Sequence, residues 1–149
     1  MTAKTEMLLY AAARAQHVEE KVLPALQAGK VVLSDRYVDS SIAYQAYGRG
    51  LGDMVAQVNA IATGGLVPDL TVFLDLPPAV GMARKLQEEN HELDRLEQEK
   101  QEFHQKVYEG YDALCKKEAE RICRIDASGT IEEVFGQIKE ALDQLLDRA

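Results

Sequence analysis

Residues 31–45, VVLSDRYVDSSIAYQ, hold the reading on which the fold turns. Val31, Val32 and Leu33 form a short apolar run after Gly29, the pattern of a strand buried on both faces in a parallel sheet. In open α/β sheets ligands sit in the crevice beyond the carboxyl ends of the strands, and here that position holds Asp35 and Arg36. An arginine offers a planar fork of donors that fits a phosphate, and an aspartate beside it can orient a water, a metal or a sugar hydroxyl. Ser40, Ser41, Tyr44 and Gln45 follow at helical spacing, so one helix face presents polar groups toward the same crevice. An isolated Asp-Arg pair is more often a solvated surface pair; the rest of the string raises the weight of a site.

Working outward, residues 5–26 place Met7, Leu8, Ala11, Ala15, Val18, Val22 and Leu26 at three- and four-residue intervals, which predicts an amphipathic helix with a kink or restart at Pro24. Tyr10 and Arg14 lie one turn apart on it. Downstream, the helix through Tyr44 is expected to end near Gly48. GRGLG at 48–52 forms a loop in which Arg49 either reaches the site or caps a helix end. A second helix is expected over 53–63, closed by Gly64 and Gly65, then a strong strand LTVFLDL at 70–76, stopped by Pro77 and Pro78. Asp75 near the end of that strand could serve the site, but capping the following turn is the simpler role.

The segment 84–121 is about half charged, with apolar residues spaced as one helix or a hairpin of two, the pattern breaking at Lys100 and Gly110. RICRID at 121–126 reads as a third strand. Thr130 and Glu133 make a capping box for a closing helix whose stripe Ile131, Val134, Phe135, Ile138, Leu142 and Leu145 is expected in the core.

With 149 residues, 46% hydrophobic and 28% charged, the chain suits one ordinary globular domain over 1–149. It has no apolar run near the roughly 18 residues a membrane span needs and no secretory leader pattern, so a cytoplasmic location without membrane association is expected. A net charge of −8 disfavours a nucleic-acid binder with a broad basic face, though not a pocket in which a few arginines converge. Cys115 and Cys123 suggest neither a zinc site nor a disulfide framework.

SDRYVDSSIAYQAYGRG resembles the corresponding segment of thymidylate kinases, and the resemblance extends to LLYAAARAQHVEEKVLPAL, ATGGLVPDLTVFLDL, ELDRLEQE and IDAS, in that order along the chain. It implies a P-loop NTPase-like three-layer α/β/α fold with a parallel sheet, and transfer of a phosphoryl group from ATP, with Mg²⁺, to dTMP. It further implies that Tyr10 stacks on the thymine and that Arg14 hydrogen-bonds its exocyclic oxygen, with Ser41 or Gln45 also reading the base. Tyr44 would lie near the sugar and disfavour a 2′-hydroxyl, Arg36 would hold the monophosphate, and Asp35 would face the Mg²⁺ or the sugar. The segment 84–101 would be a lid, with Arg84, Lys85 and Arg95 as its cations, extended around Asn90 and His91. Ala127 and Ser128 would border the adenine.

Such kinases also carry GxxxxGK[ST] after a first, central strand, and no such pattern occurs in these residues. The expectation is therefore a truncated version of the fold, with the first strand and Walker A loop absent. It would carry the dTMP site and the lid, with flanking strands that close up or are joined by another chain, and would be inactive alone. A non-catalytic thymidylate-binding remnant stays open beside it, as does an interaction protein using the charged hairpin. The resemblance also admits a homodimer.

Overall fold

The computed structural model describes residues 1–89 and 95–147, and within these the side chains of 85–89 and 95–100 are outside the description. The chain divides into two compact units, Met1–Val67 and Pro68–Ala149, taken here in turn.

The first unit is helical. α1 (Ala3–His17) starts where Thr2 accepts the Thr5 amide at 3.3 Å, and it passes through a π-helical segment, Val18–Val22, into α2 (Leu23–Gln27). The wider turn lies just ahead of Pro24, where a proline ring would otherwise crowd the preceding helical carbonyls. The predicted kink is thus absorbed as a π segment. Met7, Ala11, Val18 and Val22 of the predicted stripe are buried, while Leu8 is 50% exposed.

α3 (Val38–Ser41) likewise runs into a π segment, Ile42–Gly48, followed by turns in which Gly50 and Gly52 take positive φ. α4 (Met54–Thr63) buries Val55, Asn59 and Thr63, one face at four-residue spacing, and packs on α1 and α3. Gly64 ends it in the left-handed conformation (φ 61°), as the Gly-Gly pair predicts.

One prediction fails in this unit. Residues 31–33 form no strand, and Val31 and Leu33 are 89% and 96% exposed. An apolar run shows what a segment is able to bury, but a strand also needs a hydrogen-bonded neighbour, and the described residues offer this run none.

The second unit holds the sheet: β1 (Thr71–Asp75) and β2 (Ile122–Asp126) pair in parallel, from Thr71 opposite Ile122 to Asp75 opposite Asp126. Among the described residues these are the two strands of the sheet, against three expected from the sequence. Pro78 opens α5 (Pro78–Glu89) as expected. α6 (Arg95–Lys117) runs unbroken through Lys100 and Gly110, where the apolar pattern breaks, and Val107, Gly110 and Leu114 are buried on it. Phe73 and Tyr111 stack with ring centroids 4.8 Å apart.

The capping box of α7 (Ile131–Leu146) forms in both directions, with the Glu133 amide on Thr130 Oγ1 (3.3 Å) and the Thr130 amide on Glu133 Oε2 (2.8 Å). Its apolar stripe is not core, however: no residue of α7 is buried, and Ile131 and Phe135 are 84% and 64% exposed. Periodicity identified the helix and its apolar side; burial depends on a covering layer, and β2 alone is too narrow to supply one. No described helix is long and apolar enough to cross a membrane.

Candidate functional site

Arg14 is the centre of the first unit's polar structure. Half-buried on α1, it donates from Nη1 to Asn59 Oδ1, and from Nη2 to Ser41 Oγ (2.8 Å) and the Tyr37 carbonyl (3.1 Å). Its guanidinium carbon lies 5.5 Å from the centroid of the Tyr37 ring. Burial lowers its pKa from the ordinary arginine value, and the charges of Tyr37 and Asp39 act against that shift. An arginine carries five N–H groups, and three are committed here, which leaves Nε and one Nη1 hydrogen to offer elsewhere. Tyr10, one turn away on α1, is 57% exposed, so its ring is a face open to a ligand rather than part of the core.

Arg36 meets the same helical stretch at Tyr44, three residues on from Ser41. Its Nη2 is 3.4 Å from the Tyr44 hydroxyl and its guanidinium carbon 5.0 Å from the Tyr44 ring centroid. Among the described residues Arg36 alone is a non-glycine with positive φ (66°), a backbone state that costs about 1–3 kcal/mol and persists where surrounding structure imposes it. Ser34 Oγ donates to the Arg36 carbonyl at 2.9 Å and helps to hold that turn. Asp35 beside it is exposed and makes no side-chain bond among the described residues.

The π segment divides the polar helix face that the sequence suggested. Ser41 and Gln45 turn inward, Ser41 to Arg14 and Gln45 to Glu6 Oε1 (2.9 Å), both buried. Ser40 and Tyr44 stay partly accessible, with Tyr44 beside Arg36. Gln45 is thus a strut between helices and its amide nitrogen is committed. Arg49 joins it, pairing with Glu6 Oε2 at 3.2 Å, and its amide donates to the Tyr44 carbonyl (2.9 Å) as the cap of the π segment, which is one of its two expected roles. The Gln45 hydrogen bond, with help from Arg49, lowers the Glu6 pKa against the opposing effect of burial.

Asn59 was not legible as part of this cluster. The available signal is that Val55, Asn59 and Thr63 share one helix face, so a polar amide on an otherwise packed face must find a partner.

In the second unit Arg84 donates to the carbonyls of Ala127 (3.3 Å) and Ser128 (2.9 Å), which ties α5 to the loop after β2. The Ser128 amide in turn donates to Asp126 Oδ1 (2.9 Å), and the Ser128 hydroxyl first, with this amide second, lowers the Asp126 pKa. Lys85, Asn90, His91 and Arg95, as lid residues, fall outside the described side chains, and most of the predicted lid with them. Asp75 does not cap a turn. It pairs with Arg124 (3.3 Å), which also meets Asp112 (2.5 Å). The Tyr108 phenol faces the Asp75 carboxylate and its pKa is raised by that contact.

A cavity of about 920 Å³, lined by Phe73, Leu76, Met82, Val107, Tyr108 and Tyr111 among others, opens in this unit, and none of the sequence-named site residues lines it. No group of three or more His, Cys, Asp or Glu side chains among the described residues could hold a metal ion.

The family model for thymidylate kinase matches residues 1–138. The chain belongs to the thymidylate kinase family. It is 56% identical to the thymidylate kinase of Lactobacillus delbrueckii subsp. bulgaricus over 90% of this chain and 64% of that one. To the thymidylate kinase of Latilactobacillus sakei subsp. sakei it is 53% identical over 97% of this chain and 68% of the relative. The thymidylate kinase of Geobacillus sp. WCH70 is 47% identical over 99% of this chain and 71% of its own length. The chain thus spans about two thirds of the length of these relatives. Its helix-rich α/β fold with a small parallel sheet agrees with membership of this thymidylate kinase family.

Proposed function

We propose that these residues form the acceptor-nucleotide site of a thymidylate kinase, a protein that transfers the γ-phosphoryl group of ATP to dTMP and gives dTDP. The observation that carries the proposal is the pair of arginines meeting one helical stretch. Arg14 is fixed at Ser41 with two donors left over, and Arg36 stands one turn on, at Tyr44, in a strained backbone. A flat base fits between an exposed ring and a donor edge, and a phosphate fits a guanidinium, so base and phosphate of one nucleotide have separate partners here.

In this reading Tyr10 stacks on the thymine and Arg14 donates to its exocyclic oxygen. Ser41 and Gln45 support Arg14 and the helix, and Ser40 and Tyr44 border the sugar. Arg36 grips the phosphate. The guanidinium of Arg84 already holds the Ala127 and Ser128 carbonyls, so its proposed part is to shape the loop beside the adenine. Mg²⁺ and the ATP phosphates find no complete set of ligands in these residues, which lack GxxxxGK[ST] and any metal-holding cluster among the described side chains.

Calorimetry with dTMP, dUMP, UMP and thymidine tests the site. The expected order of affinity is dTMP over dUMP by about fourfold, one buried methyl group. UMP is expected below dUMP, because Tyr44 crowds a 2′-hydroxyl. Thymidine should fall about 10- to 100-fold below dTMP, for loss of a charge-assisted hydrogen bond. Equal, negligible heats for all four would reject the assignment. The remnant reading predicts the same affinities, and the two separate on turnover, because ATP-dependent dTDP formation from a protein containing these residues is compatible only with transfer.

A further inference from the structure

Asn59 of α4 is 5% exposed and lies outside every segment that suggested a site, yet its carbonyl oxygen accepts from Arg14 Nη1. The amide has one workable orientation. Its nitrogen donates to the Val38 carbonyl at 3.4 Å, so Oδ1 must face Arg14; turned round, an NH₂ would oppose a guanidinium, donor against donor.

We propose that Asn59 is a positioning residue that fixes the guanidinium of Arg14 and so sets the preference of the site for a pyrimidine carrying an oxygen, rather than an amino group, at the 4-position. This rests on the reading of Arg14 as the base-facing donor. Arginine has donors and no acceptor, so an edge held in place rejects an amino group and accepts a carbonyl. The discrimination depends on rigidity. With Tyr37 beneath the guanidinium, and Ser41 and the Tyr37 carbonyl on Nη2, Asn59 supplies the bond to Nη1, and hence the anchor against rotation of the plane. Released on that side, the guanidinium is able to turn away from an amino group and the penalty against cytosine falls.

The test measures dTMP and dCMP binding by calorimetry on the parent chain, Asn59→Leu and Asn59→Asp, with circular dichroism on each. Asn59→Leu is expected to weaken dTMP about tenfold and dCMP less than twofold, so the dTMP/dCMP ratio drops about tenfold. Asn59→Asp, which keeps an acceptor at the same place, is expected to hold the ratio within about threefold of the parent. An equal loss for both nucleotides in a folded Asn59→Leu chain overturns the proposal, because a purely structural amide would act on both alike. So does a folded Asn59→Asp chain that has lost the preference, a readout that stands even if the leucine variant does not fold. A parent that binds neither nucleotide, or both equally, overturns the reading of Arg14 itself and this inference with it.

Discussion

Replacing Arg36 by methionine is expected to weaken dTMP binding about 100-fold while moving thymidine binding less than twofold and the melting temperature very little. The three outcomes follow from one placement. Arg36 is exposed, and its contact with Tyr44 at 3.4 Å is long, so the folded chain loses little when the charge goes. The phosphate loses a forked, charged donor worth roughly 1.5–3 kcal/mol, a factor of about 10 to 150. Arg36→Lys keeps the charge without the fork and should lie about tenfold below the parent.

Arg36→Gly adds a separate readout. At φ 66° a glycine carries no side-chain penalty, so this variant should lose phosphate binding as fully as methionine while its melting temperature does not fall. If dTMP and thymidine weaken together, Arg36 does not hold the phosphate. If the glycine variant melts well below the parent, the turn is not strained. A bridge exposed to solvent is also screened, so the advantage of dTMP over thymidine should shrink as salt rises from 0.05 to 0.5 M, concentrations across which the Debye length falls severalfold.

What the sequence made legible divides along a physical line. Signals that depend on neighbours in the chain hold: the Thr130–Glu133 capping box, the Gly64 terminus, Pro78 at the start of α5, and both paired strands within a residue or two of their predicted ends. Signals that presuppose a distant partner do not hold equally well. The run at 31–33 and the stripe on α7 are apolar enough to be buried and are largely exposed. The π segments are a third case, since nothing in IAYQAYG marks the wider turn, and that turn is what swings Gln45 into the bond with Glu6 and leaves Tyr44 beside Arg36. At the site, Asp35, Arg36 and Tyr44 were named by their place after the apolar run and on one helix face, and Tyr10 and Arg14 took their roles from the resemblance to a family pattern. Asn59 was invisible to that pattern because it touches the site only through Arg14.

Arg14→Met is expected to have the opposite profile to Arg36→Met, lowering stability by about 2–4 kcal/mol as well as abolishing discrimination between dTMP and dCMP. Methionine retains much of the apolar stem, so packing along α1 changes little. The acceptors that faced the guanidinium are another matter. Asn59 Oδ1 is buried with its amide nitrogen tied to Val38, and the Tyr37 carbonyl is fixed by the backbone. Ser41 can rotate its hydroxyl toward one of them and satisfy it. At least one buried acceptor then stays unpaired, at roughly 1–3 kcal/mol, and the contact with the Tyr37 ring adds about 0.5–2 kcal/mol. Chemical denaturation of the parent and of the single and double variants Arg14→Met, Asn59→Leu and Arg14→Met/Asn59→Leu checks this directly. Taking away the acceptor together with its donor removes the orphan, so the double variant should be less destabilised than the sum of the two singles by about 1 kcal/mol or more. Strict additivity would mean that Arg14 and Asn59 act on the fold independently, and the hydrogen bond between them would then explain neither the stability of this unit nor the orientation of its base-facing donor.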